Sequence, residues 1–399
     1  MAPYGTLCKQ MKLSTVTKLK LISLLMGMMF WYGIEQLFLD KVLRDPSARA
    51  WITFVFTATW LVFDIPGGIL ADTFGRRRTL IVSSMLQIVG VAVLAVSQSL
   101  PVYLFGAFLY GLHWSTFSGT IQAYMYDHLL LSERHKEYAK HQGSVTAYGF
   151  IGAGIANILS GIIADHSSLR MPFGLSLIPS VLALMLVISL SKVTETKTET
   201  TPRQLRGYVT ELTRTIRQNP IAGVYAAQII IGLFVFLTIC EFGQIFLLSF
   251  NSNATWLGII WAIDAAVVAL ALHFAHHVQR WPWQTVLLYA SILTSFAIVH
   301  SPVAIILFML VYAGTEVMHN ISETELQHVA PSHARATVLS SVTFIGNLLA
   351  LPLIFIFNSL FRSHSIHTAN QFIALSAAVL LVISSIIIAR SRRNQTVSQ

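Results

Sequence analysis

Polar and ionisable side chains interrupt several long apolar stretches of this chain. Glu316, His319 and Asn320 lie between Tyr312 and Glu323 at helical spacing, so that all five form one polar stripe. An ionisable side chain at bilayer depth costs roughly 2.5–3.5 kcal/mol on insertion scales and usually serves a function. Burial favours the protonated form of a carboxyl group, and histidine titrates near neutral pH. Glu316 with His319 could therefore take up and release a proton; the alternative is that the pair only ties its helix to a neighbour.

Four further ionisable residues lie inside apolar stretches. Glu35 and Glu241 occupy matching places in the two halves of the chain. They could attract a cation, carry protons or act as gate residues near one membrane face. Asp264, one turn from Trp261, could serve proton coupling or structure, and His113 could be a proton or substrate group or a hydrogen-bonded packing histidine. Together with Glu316, His319 and Asn320 they are the candidate proton-coupling and substrate residues.

The composition indicates that the elements holding these residues are membrane helices. Hydrophobic residues make up 55% of the 399 positions and charged residues 11%, whereas a soluble domain carries roughly 25% charged residues. A spanning helix needs about 20 mostly apolar residues. Twelve runs meet that need: 19–40, 51–72, 79–98, 102–126, 143–164, 172–191, 221–249, 256–275, 285–300, 302–322, 336–358 and 370–389.

A polar linker, 192–220, divides the chain into an N-terminal unit, 1–191, and a C-terminal unit, 221–399, each with six predicted spans. The alternate connections carry 21 Lys and Arg residues on one side and 5 on the other, so we expect both termini and the linker to be cytoplasmic. Traces of a repeat support two related halves: "EQLFL" in span 1 resembles "EFGQIFL" in span 7, and "SVTAYGFIG" in span 5 resembles "SVTFIG" in span 11.

The charge, the cysteines and the motifs of the sequence argue against several other function classes. The formal net charge is +9, but the basic residues flank apolar runs, so no nucleic-acid partner is expected. Cys8 and Cys240 give neither a disulfide framework nor metal-ligand spacing. The chain has no phosphate-binding Gly-Lys-Ser/Thr loop and no hydrolytic triad, so we predict no enzyme activity, no cofactor and no metal. The basic N-terminus precedes an apolar run without a cleavage pattern, which indicates a retained first helix.

The most specific motif is "GGILADTFGRRRTL", between spans 2 and 3. Its Gly68, Asp72, Gly75, Arg76 and Arg77 resemble the cytoplasmic signature loop of the major facilitator superfamily. Gly68 would let a neighbouring backbone approach and Gly75 would allow a tight turn, while Asp72 would face the positive end of a helix in the other half. The position after Asp72 is usually basic in that family and is threonine here, and the corresponding loop of the second half is degenerate.

The resemblance implies the rest of the architecture. It implies an all-α membrane protein whose twelve helices form two pseudo-symmetric six-helix bundles around a cavity lined by spans 1, 4, 7 and 10. Arg76 would reach a carboxylate at the end of span 4, where Asp127 stands, and Asp64 would support the same loop. The implied role of this loop is a conformational latch, with the members Asp64, Gly68, Asp72, Gly75, Arg76, Arg77 and Asp127.

These observations favour a secondary transporter that works by alternating access. We expect proton-coupled export of small lipophilic or cationic compounds by a monomer embedded in lipid, in a bacterial inner membrane. The antiporter motif of the family has a proline on span 5, which reads "GFIGAGIANILSG" here without one. A proton-coupled importer of a small nutrient and a membrane receptor or scaffold without transport are the alternatives.

Overall fold

The computed structural model describes residues 14–45, 48–134, 137–191, 205–250, 253–330 and 335–397. Over these ranges the protein is helical and contains no strand. The α-helices are α1 (Thr15–Gly27), α2 (Glu35–Phe38), α3 (Ala48–Phe74), α4 (Arg76–Val96), α5 (Leu100–Leu131), α6 (Tyr138–His166), α7 (Met171–Ile188), α8 (Leu205–Gln218), α9 (Pro220–Val235), α10 (Gly243–Leu248), α11 (Ala254–Val278), α12 (Pro282–Ile298), α13 (Val303–Val329), α14 (Arg335–Ser363) and α15 (Ile366–Val397).

These helices account for the twelve predicted spans. Helices α1 and α2 form span 1, α9 and α10 form span 7, and each of α3–α7 and α11–α15 is a span of its own. Within the described ranges, nine helices are long and apolar enough to cross a membrane. A tenth is α3, whose two parts are bent by 48° on either side of Ile65. The shorter apolar α12 and the 32-residue α5 complete the set.

Spans 1 and 7 are broken, although their apolar runs predicted continuous helices. Span 1 leaves α-helical geometry after Gly27 and resumes it at Glu35, through the short 3₁₀ turn Tyr32–Ile34. Span 7 passes through the π-helical turn Phe236–Cys240 before α10 begins. Tight packing coincides with the first break, since a Cβ at Gly27 would overlap the backbone of Gly149 in α6. Hydropathy does not report such breaks because the residues around them are as apolar as the rest of the span.

The helices pack as two bundles that meet mainly through two helix pairs. In the first bundle α5 packs on α3 and α4, and α6 on α1; in the second α12 packs on α15, and α13 on α9 and α11. Between the bundles, α6 lies along α11 and α3 along α14. Trp51 and Phe54 of α3 contact the ring of Phe355 in α14 at centroid distances of 5.0 and 5.3 Å. The exact bundle limits, 191 and 221, remain a prediction.

The two ends of the bundles differ in charge. The turn at Gly75 and the ends of α5 and α7, near Asp127 and Ile188, lie at one end, here named the basic face. The other end, named the opposite face, holds the α4–α5, α6–α7 and α12–α13 connections. Of the predicted linker, residues 192–204 lie outside the described part of the chain, and α8 follows them. Leu212 of α8 is buried in a cluster with residues of α9 and α14, so this helix packs against the second bundle.

Candidate functional site

The signature loop adopts the turn that its glycine predicts and joins three helices. Gly75 has a φ of 97°, which side-chain-bearing residues rarely adopt, and it directly precedes α4. Arg76 forms an ion pair with Asp127 of α5, as expected, and its Nη1 donates a hydrogen bond to the Ala123 carbonyl at 2.6 Å. Arg77 donates to the Ile188 carbonyl at the end of α7. The loop thus ties α4 to α5 and α7 within the first bundle.

The close approach expected at Gly68 is made one residue earlier. Nothing lies within 4 Å of the position of a Cβ at Gly68, whereas a Cβ at Gly67 would lie 3.1 Å from the Ser115 carbonyl oxygen of α5. The close approach expected at Gly68 is therefore absent in this conformation, and Gly67 faces α5 instead. Asp64 and Asp72 lie at exposed positions of α3. A contact between Asp72 and a helix of the other bundle remains a prediction.

Near the opposite face, Glu35 is held by two partners from its own bundle. Its carboxylate forms an ion pair with Arg49 at the start of α3 and accepts a hydrogen bond from the Tyr103 hydroxyl of α5 at 2.8 Å. Glu35 and Arg49 are each 4% exposed. A buried pair with both oxygens occupied is compatible with a structural role at this face, and it leaves neither Glu35 oxygen free in this conformation.

Polar groups of the two bundles are joined at the breaks in spans 1 and 7. The Gln244 side chain of α10 donates to the Tyr32 carbonyl at 2.6 Å and accepts from the Gln36 backbone N–H at 2.9 Å. In return, Arg49 Nη2 donates to the Glu241 carbonyl at 2.6 Å. Backbone groups freed at a helix break in a membrane need partners from neighbouring elements. Gln36, Arg49, Glu241 and Gln244, here named the clasp, therefore close the molecule near the opposite face.

A second group of acidic residues lies between the clasp and the basic face, in the second bundle. Asp264 of α11 is 2% exposed, and its Oδ1 has no hydrogen-bond partner among the described residues. Asp264 and Glu316 of α13 both lie within electrostatic reach of the Tyr312 hydroxyl. The Trp261 ring bridges the bundles, with centroids 6.4 Å from Tyr32 and 6.2 Å from Tyr312. These five residues are named the central group.

No ion pair relieves the two acids of the central group within the described part of the chain. The ion pairs found there involve Glu35, Asp127, Glu137 and Glu323, not Asp264 or Glu316. A buried carboxylate without a counter-charge costs several kcal/mol unless it takes up a proton. The arrangement can therefore bind and release protons near the aromatic rings of Trp261 and Tyr312.

The remaining predicted residues of the proton and substrate set lie away from this group or at its edge. His319 is within electrostatic reach of Glu316, as the stripe predicts, and its Nε2 also lies 3.9 Å from Glu323 Oε2. Asn320 is exposed. His113 is 1% exposed, and its Nδ1 lies 3.0 Å from both the hydroxyl and the carbonyl oxygen of Ser83 in α4. This contact agrees with the packing alternative, and the role of His113 stays a prediction.

A cavity of about 400 Å³ lies in the first bundle, in its half nearest the basic face. Its walls come from α1, α5 and α6 and from Met29 just after α1, whereas the expected cavity walls were spans 1, 4, 7 and 10. Trp114, Phe117 and Met125 supply apolar surface, and Gln122 and Gln142 supply amides. No ionisable side chain among the described residues lines it. The cavity therefore suits an uncharged, partly apolar solute better than a cation.

Comparison with known protein families agrees with the two-bundle architecture and the signature loop. The profile of the Major Facilitator Superfamily matches residues 19–353. The chain belongs to this superfamily. No curated protein matches this superfamily member in sequence.

Solved structures with the same fold include several transporters. A mutant form of the nucleoside transporter NupG superimposes with a TM-score of 0.77 at 14% identity, over 94% of this chain and 99% of that one. The POT family transporter PepTSo gives 0.70 at 14% identity, over 96% and 98%. A D-xylose-proton symporter gives 0.67 at 16% identity, over 94% and 97%. At such identities the likeness concerns the fold, and the superfamily membership makes this chain a membrane transporter and not an enzyme.

Sequence reasoning did not single out two glutamines and one arginine of the clasp. The repeat "QLFL" at 36–39 and "QIFL" at 244–247 places Gln36 opposite Gln244, so the matching pair is these glutamines and not Glu35 with Glu241. In the sequence, Arg49 is one of the five basic residues in the connections on the less basic side of the membrane. Its position at the start of an apolar run, "ARAWITF", was the signal that a buried partner exists.

Proposed function

We propose that this protein is a proton-coupled transporter that exports small lipophilic compounds by alternating access. The observation that carries the proposal is the burial of Asp264 and the half-buried position of Glu316, neither with an ion-pair partner among the described residues, near aromatic rings of both bundles. Protons drive transport only if their binding changes the relative stability of the two conformations. Asp264 lies one turn from Trp261, whose ring contacts Tyr32 of the first bundle, so we expect protonation there to act on the contact between the bundles. Glu35, already paired with Arg49, serves the closed face instead.

The conformation is compatible with export. The clasp closes the opposite face, while the cavity lies toward the basic face. With the basic face in the cytoplasm, a lipophilic solute would bind from the inside, and protons entering from outside would later displace it. The uncharged cavity walls favour neutral over cationic substrates.

A proton-coupled importer is the second candidate. Two observations favour it: span 5 lacks the proline of the antiporter motif, and one structure of the same fold is named a D-xylose-proton symporter. Export and import use the same central group and differ only in whether solute and proton move in opposite or equal directions.

Flux into liposomes under an imposed pH gradient tests the proposal. Purified protein is supplied with a panel of dyes, sugars and nucleosides. Antiport accumulates the solute in the acidic compartment, whereas symport accumulates it in the alkaline one. Asp264→Asn and Glu316→Gln should abolish gradient-driven accumulation yet retain solute exchange at equal pH, because only coupling is lost.

Glu133→Gln, in the exposed α5–α6 connection, is the matched control and should behave as the unmodified protein. Undiminished accumulation by Glu316→Gln would remove Glu316 from the mechanism, and the same result for Asp264→Asn would remove Asp264. If no compound moves under any gradient, the receptor or scaffold alternative gains support over transport.

A further inference from the structure

The cavity near the basic face has walls from two helices that run in opposite directions. Helix α5 packs mainly on α3 and α4, helix α6 packs mainly on α1 and α11, and a further side of each helix lines the cavity. The rings of Tyr126 in α5 and Tyr138 in α6 are in contact, with their centroids 5.4 Å apart. This contact shows which residues of the two helices lie at equal depth, because every four residues advance a helix by about 6 Å.

Three pairs of lining residues follow the tyrosine contact in steps of four residues along both helices. From the basic face inward, they are Gln122 with Gln142, Ser118 with Thr146 and Trp114 with Phe150, here named the amide, hydroxyl and aromatic levels. The hydroxyl level lies about 6 Å from the aromatic level, and the amide level about 12 Å from it. The cavity therefore changes from polar near the basic face to aromatic at its deeper end.

The polar side chains of the amide and hydroxyl levels are available to a ligand. None of the four has a hydrogen-bond partner among the described residues. Gln122 and Thr146 are exposed, and Gln142 and Ser118 are half-buried, so the cavity gives access to them. A glutamine amide offers both donors and an acceptor, and so does a hydroxyl group. Two amide groups of a ligand, one at each level, can therefore form hydrogen bonds with both.

The charge and size of the cavity define the ligand further. No ionisable side chain among the described residues lines it, so a charged group would lose hydration without meeting a counter-charge. The rings of Trp114 and Phe150 offer apolar surface on which an aromatic ring packs well. The volume of about 400 Å³ lies within the range of roughly 300–1,000 Å³ that is usual for small-molecule sites.

We infer that this cavity binds uncharged aromatic amides, in which a ring at one end is followed by two amide groups. The ring packs at the aromatic level, the inner amide bonds the hydroxyl level, and the outer amide bonds the amide level. The molecule thus enters from the basic face with its ring first. The inference rests on the proposed function, because it names the substrate class of the export cavity.

Equilibrium binding of tritiated N-(3-phenylpropanoyl)glycinamide to the purified full-length protein, without a pH gradient, tests this inference. We expect saturable binding. In two analogues the outer amide is replaced by a charge: N-(3-phenylpropanoyl)glycine carries a carboxylate and N-(2-aminoethyl)-3-phenylpropanamide an ammonium group. A third, N-propanoylglycinamide, lacks the ring. Each should compete at least tenfold more weakly, because a hydrogen-bonding group or the buried ring is lost.

Equal competition by any of the three analogues would overturn the inference, and so would the absence of saturable binding at millimolar concentration of the labelled amide. Binding without transport distinguishes this inference from the proposed function. Selective binding without gradient-driven flux would support the substrate class and count against proton coupling. Gradient-driven flux of other solutes without binding of the labelled amide would overturn the substrate class and leave proton coupling intact.

Three variants locate the bound molecule. Gln122→Leu and Gln142→Leu should each weaken binding of the labelled amide about tenfold. In Trp114→Ala, this compound should lose its advantage over N-propanoylglycinamide, because the ring no longer has its partner. Gln98→Leu, a substitution of an exposed glutamine near the opposite face of the same bundle, is the matched control and should bind normally. Gln122 is exposed, so its substitution does not endanger folding. Full binding by both Gln122→Leu and Gln142→Leu would contradict the inference.

Discussion

The ion pairs of this protein differ in how deeply their side chains are buried. Arg76 and Asp127 are 12% and 3% exposed at their side chains, whereas Arg134 and Glu137 are 50% and 43% exposed. Removing one partner of a buried pair leaves the other charge without compensation, at a cost of about 3–5 kcal/mol. A surface pair contributes only about 0–1 kcal/mol. The Arg76–Asp127 pair should therefore carry much of the stability of the signature loop.

Asp127→Asn should lower the thermal unfolding midpoint in detergent strongly, by a loss of about 3 kcal/mol, because the ion pair between Arg76 and the buried Asp127 is then lost. The double substitution Arg76→Gln with Asp127→Asn should recover part of the loss. Glu137→Gln is the matched control and should change the free energy of unfolding by less than about 1 kcal/mol. Equal unfolding midpoints for Asp127→Asn and Glu137→Gln would show that the Arg76–Asp127 pair contributes no more to stability than a surface pair.

At the scale of elements, the two broken spans depend on each other. Each break frees backbone groups, and the partner of each comes from the other bundle: Gln244 for the Tyr32 carbonyl and Arg49 for the Glu241 carbonyl. When the opposite face opens, these bonds must be lost. The hydrogen bonds of the clasp therefore stabilise the conformation that is closed at the opposite face. Each additional bond adds to this stabilisation.

Gln244→Leu should shift the protein toward the conformation open at the opposite face. It removes two hydrogen bonds of about 1 kcal/mol each, which corresponds to a shift of roughly tenfold or more. Spin labels at Ser99→Cys and Ser301→Cys, exposed at that face on different bundles, report the change as a longer distance in double electron–electron resonance. The labels are introduced into a protein whose two native cysteines have been removed by the substitutions Cys8→Ser and Cys240→Ala.

Gln228→Leu is the control for this experiment. Gln228 is also a buried glutamine, but it bonds Ser322 and Ser384 of its own bundle. Its loss should reduce stability without lengthening the label distance. An unchanged distance in Gln244→Leu would mean that the clasp follows the closure and does not stabilise it.

At the scale of the whole molecule, the two bundles approach each other closely where α6 packs against α11. A Cβ at Gly161 of α6 would lie 2.8 Å from Thr255 Cα of α11. Asp165 of α6 also accepts from the Thr255 backbone N–H at 2.9 Å, near the start of α11. The contacts of Gly161 and Asp165 lie at the end of α6 near the opposite face, so we expect them to be lost when that face opens.

Gly161→Ala should disfavour the closed conformation by roughly 1–3 kcal/mol, because the added methyl group meets backbone that cannot move aside. Its label distance at the opposite face should lengthen and its transport rate should fall. Gly154→Ala on the same helix has nothing within 4 Å of the new methyl and should behave as the unmodified protein. Normal transport by Gly161→Ala would indicate that the two bundles need not approach this closely.

The features that depend on local sequence pattern could be predicted from the sequence. Hydropathy determined the twelve spans, and the motif with its glycine and arginines determined the turn at Gly75 and the Arg76–Asp127 pair, because these depend on run length and on spacing within one bundle. The breaks in spans 1 and 7, the pairing of Glu35 with Arg49 and the contact of His113 with Ser83 became visible only in three dimensions. Gln36 and Gln244 are 208 residues apart. Their contact depends on how two separately folded bundles meet, and no periodicity along one helix encodes that.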